Sequence, residues 1–233
     1  MVCGILAVCA AARPRAATCV APPGAPTALA AIDGRERLFW ITLKLEMDAR
    51  RGRLWAKGWG VGIGLAGAAS LMAVPFVEPS RRVDWYTGAA SAAVGVIPFV
   101  VSPLTVTRDA PKLRDLLDVA PLDDDAHACA LLAKAELMLR DGAANERRNR
   151  AWYIHAGNLA FNTGVFLFLG IGFHHWTAGT VNGLAGAAVG EGIILSQPTG
   201  AIDAERAYDR GDLSAAARAV ERPVWGWAYD AAF

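Results

Sequence analysis

Four long apolar runs, separated by polar and charge-rich segments, set the pattern of this chain. Residues 54–77, 85–106, 151–173 and 178–195 hold almost no ionisable side chains. Each is close to the ~20 residues a helix needs to cross hydrocarbon. Lys57 interrupts the first run near its start, where its ammonium can snorkel to the interface. Pro98 and Pro103 fall in the second run and are predicted to kink it or end it early. The links 78–84 and 174–177 are short, so the runs pair as two helical hairpins.

The two hairpins look like copies of one unit. Gly88-Ala-Ala-Ser-Ala-Ala-Val-Gly95 recurs as Gly183-Leu-Ala-Gly-Ala-Ala-Val-Gly190. Arg50-Arg51-x-Arg53-x-Trp55 recurs as Arg147-Arg148-x-Arg150-x-Trp152, at the head of the other hairpin. Asp109-Ala110 and Asp203-Ala204 follow the second and fourth runs. Two spans per copy give both copies the same orientation, a parallel duplication about an axis along the membrane normal. The expected fold is therefore an all-α membrane protein with four transmembrane helices in two tandem hairpins and amphipathic helices on one face. The expected divisions are a leader over 1–30, a first repeat over 31–120, a second over 121–215 and an aromatic tail over 216–233.

The polar segments refine this picture. Met1 to Ala12 is an apolar run of signal-peptide length, Arg13-Pro14-Arg15 ends it, and Ala28-Leu29-Ala30 is an A-x-A cleavage pattern. Ile32 to Arg53 carries Leu38, Ile41, Leu45 and Met47 at helical spacing among charges, which predicts a helix at the membrane surface or packed on a neighbour. Helices are also predicted over 108–119, 122–141 and 202–220, with Asp123, Asp124 and Asp125 in the first turn of the middle one, where the helix dipole favours acids. Val224, Trp225, Trp227, Tyr229 and Phe233 read as an interfacial anchor.

Composition agrees with a membrane location. The hydrophobic fraction is 54% and the charged fraction 19%, too apolar for an ordinary soluble domain. A net charge of +1 carries no nucleic-acid footprint. Of the four cysteines, Cys3, Cys9 and Cys19 lie in the expected leader, so a processed chain would keep only Cys129 and form no internal disulfide. Sidedness is contested. The face holding 31–54, 107–150 and 199–233 carries 18 Lys and Arg against Arg81 and Arg82 on the other, which by the positive-inside rule makes it cytoplasmic. A cleaved leader would export the same face, and the expectation leans that way, with the protein multi-pass in the cell's inner membrane.

One polar cluster could carry chemistry. Glu191 is an acid inside the fourth run, and such residues generally face the protein interior with a partner. His155 is the expected partner: the two lie ~9 Å and ~7.5 Å from the same face by the helical rise. Asn158 and Asn162 continue the stripe at helical spacing, with Ser196 and Gln197 as further partners. The corresponding positions of the first copy are Gly58 and Val96, so the pair belongs to one half only. His174 and His175 read as interfacial, and no metal framework, nucleotide fingerprint, Ser-His-Asp set or cofactor site stands out.

The leading functional expectation is a non-enzymatic packing or interaction subunit, with Glu191 and His155 as helix glue. A small proton- or ion-coupled transporter using that pair is the alternative, and a membrane-embedded enzyme the third reading. Expected partners are the lipid bilayer and a second copy or another membrane protein.

Overall fold

The structure is a computed structural model, and it describes residues 17–119 and 124–213. All regular structure among these residues is helical. A single turn, α1 (Thr27–Ala30), precedes α2 (Gly34–Ala73), a continuous helix of 40 residues. Two 3-10 turns lead into α3 (Arg82–Val101), and α4 (Thr105–Val119) and α5 (Asp125–Asn149) follow. Then come α6 (Trp152–Phe173), α7 (Trp176–Ser196) and the short α8 (Gly200–Asp209).

The first half of α2 builds a compact head domain with α4, α5 and α8. Asp33 caps α2 by accepting from the Arg35 and Glu36 amides, satisfying donors a helix start leaves open. Leu38, Ile41, Leu45 and Ala49 then form one apolar stripe, spaced three and four residues apart. That stripe is buried against Val106, Ala110 and Leu113 of α4, Leu132, Ala135 and Leu139 of α5, and Ala204 and Ala207 of α8. Of the two readings of residues 32–53, the packed helix is thus the one observed. A stripe with three helical partners has no need of a lipid surface.

At the centre of the head lies Arg37, fully buried. Its Nε donates to the Tyr208 hydroxyl at 2.8 Å, Nη2 pairs with Glu136, and the guanidinium also sits over the Tyr208 ring. Tyr208 in turn donates to Glu136. Burial and the neighbouring Glu136 push the phenol well above its ordinary pKa, so it stays a donor.

The N-terminal segment corrects two expectations. Cys19 and Cys129 form a disulfide, which the leader reading had ruled out. Ala17 and Leu29 are each only 1% exposed, and the Ala17 amide donates to Asp33 Oδ2 at 2.9 Å. Cleavage after Ala30 would strip Leu29 from the core and leave Cys129 unpaired. The apolar run before residue 17 lies outside the described residues, as do Asp123 and the aromatic tail.

Four helical segments are long and apolar enough to cross a membrane: the second half of α2, α3, α6 and α7. They are paired as α2 with α3 and α6 with α7. Side chains such as Leu65, Met72, Val100, Phe168, Ile171 and Leu184 stand exposed on their outer faces. Small residues permit close approach within each pair. A Cβ on Gly183 would lie 3.0 Å from the Asn162 carbonyl oxygen of α6, and one on Gly67 3.0 Å from Ala92 of α3. The second segment ends at Val101, five residues short of the expected boundary, with Pro98 inside it and Pro103 in the break that follows.

The disulfide closes a separation of 110 residues. Cys19→Ser and Cys129→Ser are each expected to destabilise the head by about 2–4 kcal/mol. The double variant should cost no more than either single one, as read by near-UV circular dichroism during denaturant unfolding in detergent.

Candidate functional site

The polar stripe of α6 and α7 is assembled largely as expected. His155 Nδ1 lies 2.6 Å from Glu191 Oε2. Asn158 Nδ2 donates to Glu191 Oε1 at 3.0 Å and to the Ala187 carbonyl at 3.0 Å. Asn162 Nδ2 donates to Asn158 Oδ1 at 2.9 Å, completing a chain along one helix edge. Ser196 and Gln197 are not members of it. Ser196 Oγ accepts the indole N–H groups of Trp55 and Trp59 at 3.2 and 2.9 Å. The Gln197 carbonyl accepts from Arg150 at 2.9 Å, and its side-chain Nε2 is buried with no partner among the described residues. The cluster also departs from the interior position expected of an intramembrane acid. The His155 and Glu191 side chains are about 30% exposed, and neither lines the cavity between the hairpins.

That cavity, in the apolar half, has a volume of about 870 Å³. Trp55, Trp59 and Ile63 of α2, Phe99 of α3, and Phe161 and Asn162 of α6 are among its walls. The hairpins it separates are bridged at both ends. Near the head, Trp55 and Trp59 of the first hairpin reach Ser196 of the second. At the far end His175 Nδ1 lies 2.6 Å from Asp84 Oδ1, and Arg81 Nε donates to Asp84 Oδ2 at 3.1 Å. The His175 backbone amide donates to the Leu169 carbonyl, while His174 adopts the left-handed conformation (φ 59°) that ends α6. The second histidine of the expected interfacial pair thus ties the two hairpins together.

A second ionisable group sits where the spans meet the head. Asp48 of α2 and Glu146 of α5 are both buried, and both face the N-terminus of α8. Glu146 accepts from the Ala201 and Ile202 amides at 3.3 and 3.0 Å. Asp48 lies against Glu146 and the Gly200 and Ala201 amides, yet neither of its oxygens makes a well-formed hydrogen bond. Burial raises both carboxyls, and the nearby Asp48 charge adds to the rise at Glu146, which is pushed up to about 10. The Glu146 carboxyl, Arg51 and the helix amides offset part of that rise at Asp48.

The same turn of α5 also caps α4. Asn145 Oδ1, from the same turn of α5 as Glu146, accepts the Thr105 amide that opens α4 at 3.2 Å.

Several of these groups escaped sequence reading. The Asp48–Glu146 pair joins two helices distant in the chain and has no local signature. Trp55–Ser196 and Asp84–His175 join residues 141 and 91 positions apart, with no local signature. No cluster of three or more His, Cys, Asp or Glu able to hold a metal occurs among the described residues. Compared with known proteins, the chain matches no family model, no curated protein sequence and no solved structure.

The raised carboxyl sets a pH dependence. Glu146 holds its proton in the folded head and loses it at about 4.5 when unfolded, so stability should fall as pH rises from about 4.5 towards about 10. Glu146→Gln keeps a neutral group in place and is expected to flatten that decline. At pH 9 it should raise the thermal midpoint by roughly 2–4 °C per kcal/mol regained, measured in detergent by circular dichroism.

Proposed function

We propose that this is a non-enzymatic, multi-pass protein of the cell's inner membrane, built from a duplicated helical hairpin, with an exported head that fixes the hairpins side by side. One observation carries the non-enzymatic reading. His155 and Glu191 of the second hairpin are engaged in a helix-to-helix bond and do not line the inter-hairpin cavity, although their partner Asn158 does. A proton path through the bundle would need them to face that space. As glue, each interhelical polar contact is worth ~0.6 kcal/mol on average. The partly exposed face of the pair also suits contact with a neighbouring helix, from a second copy or another membrane protein.

The exported head is supported by the Cys19–Cys129 disulfide, because such bonds persist in oxidising compartments and are rare in the cytosol. The positive-inside count of Lys and Arg points the other way, and the pairing of these residues with acids does not alter it. Arg35 with Asp125, Arg37 with Glu136, Arg114 with Glu46 and Arg147 with Glu205 are among the basic residues engaged within the folded head. In this reading the leader ends ahead of Ala17, not at Ala30. The duplication is supported by the sequence matches and by the common order of polar helix, span, span and short helix in both halves.

Single cysteines at exposed positions test the orientation. With a membrane-impermeant maleimide on intact spheroplasts, Asp118→Cys in the head should label, and Ser80→Cys at the far turn should label only after lysis. The reverse pattern would return the head to the cytoplasm. In liposomes under a pH gradient the purified chain should give no proton uptake above empty vesicles. Glu191→Leu, which removes the partner of His155 and one of the two acceptors of Asn158, should instead cost about 1–2 kcal/mol of stability.

A further inference from the structure

Basic side chains gather at one level of the molecule, where the spans leave the head. Trp152 and Tyr153 open α6 there, edge-on to one another, and Trp152 is 78% exposed, the placement of aromatics at a hydrocarbon boundary. Trp55 of α2 reaches the same level, because its indole donates to Ser196 at the end of α7. Arg53 and Lys57 stand two residues to either side of Trp55, ~3 Å along the axis, and neighbour each other on one face of α2. On the second hairpin Arg148, in the last turn of α5, and Arg150, in the link to α6, lie just before Trp152.

Acids do not answer this charge. No Asp or Glu occurs between residues 49 and 77 or between 147 and 190. Asp48 and Glu146 are buried against α8, and Glu191 is bound to His155. Arg147 is taken by Glu205, and Arg50 and Arg51 have partners of their own. Arg53, Lys57 and Arg148 are exposed and make no ion pair with an acid among the described residues. Arg150 is half-buried, and its Nη1 donates to the Leu195 and Gln197 carbonyls at 3.3 and 2.9 Å. Those neutral acceptors orient the guanidinium and leave its charge uncompensated. The whole chain carries only +1, so the acids that balance these cations lie elsewhere.

Cations exposed at the edge of an apolar span face the plane of lipid phosphates. A guanidinium meets a phosphate through paired N–H donors, and a lysine meets it as a point charge. A zwitterionic headgroup brings its own ammonium and offers these side chains no net charge. An anionic headgroup does, and juxtamembrane Lys and Arg attract such lipids. We propose that this collar binds anionic phospholipids by their phosphates, one at Arg53 and Lys57 on the first hairpin and one at Arg148 and Arg150 on the second. The exposed apolar side chains below it, Leu65 and Leu159 among them, lie against the acyl chains.

The collar rests on the membrane reading, and the two can fail separately. A chain that stays monodisperse in detergent-free buffer defeats the membrane reading, whereas loss of lipid preference alone leaves detergent dependence intact. The purified full-length chain, in mild detergent, is offered equimolar dioleoylphosphatidylglycerol and dioleoylphosphatidylcholine, and bound lipids are counted by native mass spectrometry. A preference of about tenfold for phosphatidylglycerol is expected, with about two molecules per chain. Arg53→Gln with Lys57→Gln, and Arg148→Gln with Arg150→Gln, should each remove one of them, and all four changes together should bring the preference to parity. Lys134→Gln with Arg140→Gln, which removes two exposed charges farther up α5, should leave it unchanged. Equal occupancy by the two lipids, a preference kept by the variant with all four changes, or an equal loss in the Lys134 and Arg140 variant would overturn the proposal. So would full displacement by equimolar inorganic phosphate, the mark of a site for soluble anions. Should Arg150→Gln loosen the end of α7, as judged by loss of monodisperse elution, the Arg53 and Lys57 variant and the wild-type competition still decide.

Discussion

A guanidinium sealed from water must be neutralised where it stands, and the burial of Arg37 dictates how this molecule is assembled. Glu136 supplies the countercharge from α5 and Tyr208 the hydrogen-bond acceptor from α8. The Cys19 carbonyl approaches from the N-terminal segment at 3.5 Å. Four distant pieces of chain must converge before that charge is tolerable. Once they do, α2 is fixed in direction, and so is the hairpin that grows from it. The disulfide beside this network holds the N-terminal segment in register with α5.

Below the head, adhesion between the hairpins changes character. Within each pair, small residues bring backbones together along much of the helix length. Between pairs, the two bridges at the ends use Trp, Ser, His and Asp. Apolar packing discriminates poorly between protein and lipid tails, whereas a hydrogen bond made in that setting has few competitors. The two halves are therefore held apart and together at once, and the space between them follows from where the bridges sit.

Much of the helical plan was written in the hydropathy pattern. The four runs appear as helices with their expected pairing, because length and apolarity leave little alternative. The His155–Glu191 contact was legible from depth alone. What stayed hidden shares a physical cause: it depends on contacts distant in sequence. The buried state of Arg37 and Lys44 contradicts the usual reading of charges on an amphipathic helix. Cys19 looked like part of a leader because composition around it is low in complexity, while its pairing is set by α5. Gln197 looked like a partner for Glu191, yet the α7 terminus turns it towards the cavity, and Ser196 points to the tryptophans of α2.

One difference between the halves has a mechanical consequence. In the first half α2 passes from head to span without interruption, a rod of 40 residues and ~60 Å. In the second, α5 stops at Asn149 and α6 starts at Trp152, with Ala151 extended between them. A torque applied to the head is thus transmitted rigidly to one hairpin and absorbed at a joint before the other. Parting of the hairpins is therefore lopsided: the first swings with the head like a mast, and the second trails.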